Sequence, residues 1–130
     1  MIPTELRTLN GPEWPRWDWV KSSAKSDQAG YDVGLTAVSE LRWFQGHFEG
    51  HPLLPGVVQT HIAGTVARVL LRPEGAFSGI GNLKFQQIVL PDQSMVLSLR
   101  RVVDKSAVDF TLCEDDVVFS RGRLRFEGSR

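Results

Sequence analysis

Three histidines stand within fifteen residues of one another in the stretch 44–61, FQGHFEGHPLLPGVVQTH: His47, His51 and His61. An imidazole with its ordinary pKa of about 6.5 holds acid and base forms together near neutrality, so it can take up a proton and return it. Pro55-Gly56 heads a run with helical spacing. The first N–H groups of a helix have no acceptor inside it and lie at the positive end of its dipole, so they suit a carbonyl oxygen that gathers negative charge. Proline has no N–H to lose there, and glycine lets a ligand come close to the backbone. A proton carrier beside fixed amide donors fits acid–base chemistry next to a polarised carbonyl. The plainer alternative is a loop histidine that only makes structural hydrogen bonds. The three histidines lack the compact helical pair or cysteine partners of a zinc site, so no metal is expected.

Those residues need a loop and a helix to hold them. From residue 42 to 56, Gly46, Gly50, Pro52, Pro55 and Gly56 exclude regular structure and predict a shaped loop. In VVQTHIAGTVARVLLR, Val58, Ile62, Val66 and Val69 recur at helical spacing until Pro73. Before the loop, Tyr31, Val33, Leu35 and Ala37 alternate as in a half-buried strand. After Gly75 the strand period returns at Leu83 and Phe85, at Met95, Leu97 and Leu99, at Val108, Phe110 and Leu112, and at Leu124 and Phe126. PDQS, DKS and EDD read as turns between antiparallel neighbours. The expected class is α+β, one long helix packed on one antiparallel sheet. Residues 1–30, broken by Pro3, Pro12 and Pro15, read as an irregular leader in which Trp14, Trp17 and Trp19 crowd together.

The segment from residue 44 resembles the signature of the hot-dog-fold 3-hydroxyacyl-acyl carrier protein dehydratases: Phe, any, Gly, His, Phe, Pro, Gly, any, Pro, any, any, Pro, Gly, Val. Phe44, Gly46, His47, Phe48, Gly50, Pro52, Pro55, Gly56 and Val57 match, nine of fourteen positions. The likeness covers about residues 31–126 and is greatest to the aryl-polyene-type group, in which a histidine follows VVQ. Glu49 stands where the family has proline. His61 stands where it usually has a helix carboxylate.

The resemblance implies a hot-dog fold and conversion of 3-hydroxyacyl thioesters to trans-2-enoyl thioesters, in fatty acid or aryl-polyene and polyketide-like synthesis. His47 would be the base, Gly56 N–H the carbonyl donor, and His61 the group at the departing hydroxyl, with His47 and His61 supplied by different subunits. Phe44, Phe48, Pro55, Val57 and Gln59 would line the substrate. No cofactor is implied, since the substrate rides on the phosphopantetheine of an acyl carrier protein. The expected assembly is a homodimer or larger hot-dog oligomer, with a hot-dog partner subunit as a further option. Arg42, Arg68, Arg100 and Arg101 are candidates for meeting an acidic carrier. A hot-dog thioesterase and a noncatalytic acyl-binding subunit are the competing readings.

Composition narrows the partners. In 130 residues, one domain's length, 15 basic and 15 acidic side chains cancel, which gives no long-range field for nucleic acid or an anionic membrane. No apolar run approaches the roughly 18 residues of a spanning helix. The lone Cys113 can form no internal disulfide and reads as a packing residue, which points to the cytoplasm.

Overall fold

The helical spacing of Val58, Ile62 and Val66 becomes the buried face of helix α2 (Gly56–Leu71). The structure is a computed structural model that describes residues 2–23, 29–45, 52–102 and 106–127. Pro55 is the N-cap of α2, and no side chain caps that end. The other end is closed three ways. Arg72 turns left-handed (φ 49°) and donates its N–H to the Arg68 carbonyl. The Arg101 guanidinium donates to the Leu71 carbonyl. Pro73 then offers no N–H with which to continue.

The strands are β1 (Arg16–Ser22), β2 (Gly30–Ala37), β3 (Ala76–Phe85), β4 (Gln93–Arg101), β5 (Ala107–Glu114) and β6 (Val117–Glu127). They form one antiparallel sheet in the order β1-β2-β4-β5-β6-β3. The alternation predicted for the central strands is the pattern that buries one face. Val33 pairs with Leu97 and Leu97 with Leu112; Leu99 pairs with Phe110. All five belong to the core cluster, together with Val58, Ile62 and Val66 of α2. One helix therefore lies on one sheet, as the residue pattern predicts, and the turns at residues 91–92 and 115–116 fall where PDQS and EDD stand. Most of DKS lies outside the described residues.

The described residues 2–23, expected as part of an irregular leader, contain regular structure. Thr4–Arg7 form a helical turn, α1, whose Leu6 is fully buried, and Arg16–Ser22 form the edge strand β1. The strand escapes the period-two test because its register against β2 shifts between Trp17 and Trp19, a bulge that breaks the alternation. Two of the three crowded tryptophans are pulled in, Trp19 staying 41% exposed: Trp14 and Trp17 pack against the core, and Trp17 Nε1 donates to the Leu9 carbonyl at 2.8 Å.

Candidate active site

Helix α2 offers unpaired amide donors from its first residue. The earliest backbone hydrogen bonds run from Val58 N and Gln59 N to the Pro55 carbonyl, at 3.0 and 3.1 Å. The N–H groups of Gly56 and Val57 are left with no acceptor inside the helix. Phe85 packs closely over Gly56: a Cβ there would lie 2.6 Å from Cζ of Phe85, so a larger residue would displace that ring. About 7.5 Å further along the axis, at the ordinary rise per residue, His61 projects from the exposed wall.

Beside that wall runs an open groove of about 350 Å³. Val57, Thr60, His61, Gly64, Thr65 and Arg68 form its helix side, and Phe77, Ile80 and Phe126 form its sheet side. The two threonines turn their hydroxyls back to the helix, Thr60 to the Val57 carbonyl and Thr65 to the His61 carbonyl, each at 2.8 Å. Their methyl groups are thus left to the groove, which is mostly apolar with one imidazole and one guanidinium on its rim. A Cβ added to Gly64 would meet nothing within 4 Å, so the groove is open at mid-helix.

The predicted residues divide into three groups. Val57 and His61 stand together at this wall, with Val57 73% exposed, and Gly56 is the first residue of the same helix. Phe44 and Gln59, expected against substrate, turn away from it. Phe44 is 6% exposed in the core cluster, and Gln59, 4% exposed, donates from Nε2 to the Leu54 carbonyl at 3.1 Å. An amide on the buried face must find a backbone partner, and the chain entering α2 supplies one; Gln59 Oε1 has none among the described residues. His47 and Phe48, with Gly46, Glu49, Gly50 and His51, lie outside the described residues. Of the four arginines suggested for carrier contact, Arg42 pairs with Glu13 at 3.0 Å, Arg100 pairs with Asp32 at 3.1 Å, and Arg101 is spent on the helix end. Arg68 alone lines the groove, its Cζ 5.6 Å from the centroid of the Phe126 ring.

Two groups near the site gave no signal in the sequence. Phe85 crosses the helix start although it belongs to a distant strand, and the Trp14 indole stacks on the His61 imidazole with centroids 5.3 Å apart and planes 27° apart. The crowding of Trp14, Trp17 and Trp19 was the only available hint of the second. Cys113 is a partly buried residue of β5 that does not line the groove. Burial, then the nearby Asp32 and Asp115, push its thiol up, so it stays protonated at neutral pH.

Comparison with known proteins accounts for this arrangement. A family model described as ApeI-like, ApeI dehydratase, matches residues 22–123. The 3-hydroxyacyl-[acyl-carrier-protein] dehydratase FabZ of Chloroflexus aggregans is 32% identical over 113 residues, 68% of this chain and 78% of that one. The FabZ of Legionella pneumophila is 33% identical over 73 residues, 48% of this chain, and the chain spans about half (49%) of that relative's length. Among solved structures, the dehydratase heterocomplex ApeI:P from Xenorhabdus doucetiae has a chain 29% identical to this one with a TM-score of 0.77, covering 86% of this chain and 96% of that chain. The chain belongs to the ApeI-like dehydratase family and has the hot-dog fold. No described helix is long and apolar enough to cross a membrane.

Proposed function

We propose that this chain dehydrates 3-hydroxyacyl groups carried on an acyl carrier protein, giving trans-2-enoyl thioesters for fatty acid or aryl-polyene-type synthesis, and that it needs no cofactor to do so. The observation that carries the reading is the α2 wall: free amide donors at Gly56 and Val57, and His61 exposed at the rim of an apolar groove. In the proposed reaction a base removes the C2 proton, the C3 hydroxyl leaves as water with an added proton, and the thioester oxygen gathers charge in between. Gly56 N–H meets that oxygen, and Val57 and Pro55 shape the entry to it. Loss of such a positioned donor typically costs on the order of 3 kcal/mol. His61 protonates the departing hydroxyl. His47, placed by the motif alone, is the base.

The two imidazoles divide the proton transfers, His47 as base and His61 as acid. The proposal takes them from different protomers of a homodimer. The exposed apolar residues of β3 support such an assembly: Phe77, Leu83 and Phe85 are 48%, 39% and 50% exposed on an edge strand, and Ile88 and Leu90 continue the patch. The heterocomplex named for the Xenorhabdus relative supports a hot-dog partner subunit as a second arrangement. An acidic carrier protein would meet Arg68, and a cytoplasmic setting goes with that partner.

The test is incubation of the purified protein with 3-hydroxyacyl-acyl carrier protein, with loss of water followed by mass spectrometry. His47→Ala should abolish dehydration and His61→Ala should reduce it by on the order of a hundredfold. Release of free carrier thiol would identify a thioesterase instead. No reaction with several acyl types, from a folded and dimeric chain, would leave the noncatalytic subunit.

A further inference from the structure

An exposed histidine on a helix is free to turn about its two side-chain torsions, and a proton carrier is useful only if its nitrogens point at the reacting atoms. Among the described residues no hydrogen bond reaches either imidazole nitrogen of His61; Thr65 uses only its backbone carbonyl. What constrains the ring is the indole of Trp14, laid against its flat face at 5.3 Å and 27°. A face-on neighbour removes rotation while leaving the ring edge, where both nitrogens sit, open. His61 lines the groove, and Trp14 lines a separate hollow.

Trp14 can act this way because it is itself fastened. Its ring leans on Trp17 at 6.4 Å, and Trp17 is tied to the Leu9 carbonyl. The residues just before it are bound to the turn that precedes the signature loop. Arg42 N donates to the Pro12 carbonyl at 2.8 Å, Trp43 Nε1 donates to the Glu13 carbonyl at 2.8 Å, and Glu13 pairs with Arg42 at 3.0 Å. Farther back, Glu5 pairs with Arg72 at the far end of α2 at 2.9 Å, and Leu6 is fully buried. Residues 2–15 therefore form a strap fastened to both elements that flank the site. All of it precedes residues 22–123, where the family match lies.

We propose that Trp14 is a positioning residue that acts through His61, fixing the imidazole plane so that its nitrogen edge is presented to the groove. The inference rests on the reading of His61 as a participant in dehydration. It separates this chain's proton delivery from the signature itself, because the group that aims the histidine comes from outside the matched segment.

The experiment is a double-mutant cycle in single turnover with 3-hydroxyacyl-acyl carrier protein, using the full chain and the variants Trp14→Ala, Trp14→Phe, His61→Asn and Trp14→Ala/His61→Asn. Trp14→Ala should slow dehydration about tenfold with substrate affinity held within about twofold, and Trp14→Phe, which keeps a flat face, should restore most of the rate. In the His61→Asn background the Trp14→Ala change should cost less than about twofold more. An equal loss in both backgrounds, or weakened binding at an unchanged rate, overturns the proposal. The His61 ring C–H signals in a proton–carbon NMR spectrum, assigned by their disappearance in His61→Asn, give a readout that needs no substrate. They should be displaced by the indole ring current and move toward free imidazole in Trp14→Ala. If the parent chain dehydrates nothing, the functional reading fails on its own, and these signals still decide whether Trp14 sets the ring: movement supports it, and no movement overturns it.

Discussion

The two edges of the sheet differ in charge and in exposed apolar surface, although both carry bulges. β1 carries Arg16, Asp18 and Lys21, bends at the Trp17–Trp19 bulge, and has the strap of residues 2–15 folded against it. β3 carries one charge, Lys84, and leaves Phe77, Leu83 and Phe85 in the open. A bare strand edge is a template for further pairing, and charges and bulges are the ordinary means of blocking it. Charge sets β1 apart and apolar exposure sets β3 apart, and the assembly proposed through β3 would use that contrast. The groove is walled by the same β3 and by α2, which ties the chemistry to the open side.

The most severe way to break this contrast is Leu83→Asp. A charge placed on the open edge should weaken self-association at least about a hundredfold, roughly 3 kcal/mol, as read by analytical ultracentrifugation, while the circular dichroism of the folded chain is kept. Lys21→Glu on the closed edge should leave the mass unchanged, and equal behaviour of the two variants would remove the distinction. A smaller effect sharpens the closed side. Trp17→Phe deletes the hydrogen bond to the Leu9 carbonyl and should cost about 1 kcal/mol in urea unfolding, with no change in mass. The smallest belongs to the interior strand between the edges. Because burial raises the Cys113 pKa in the folded state, its contribution to stability is whole below the thiol's ordinary value of 9.0 and is lost as pH rises through the folded value. Urea unfolding at pH 8 and pH 10 should therefore show a steeper loss for the parent chain than for Cys113→Ala.

Legibility in the sequence followed the range of the interaction. Val58, Ile62 and Val66 announce α2 because the helix repeats every 3.6 residues and one face must be buried. Met95, Leu97 and Leu99 announce β4 for the corresponding reason in a strand. The signature around Gly56 marks the helix start through local backbone needs. β1 was hidden because a bulge resets the alternation at Trp17–Trp19, and α1 because a single turn has no period to detect. The burial of Phe44 and Gln59 was not legible because nearness in sequence to a site does not determine which face of an element a side chain takes. The stacking of Trp14 on His61 joins residues 47 positions apart, and no local rule reaches across that distance.

Gly64 has an evolutionary consequence. Glycine inside a helix forgoes about 1 kcal/mol relative to alanine, yet a side chain here would project into unoccupied space. A lineage that came to prefer slimmer acyl groups could fill that space in a single mutational step and gain a firmer helix in the same move. At this position a narrower groove and a firmer helix would come from the same substitution.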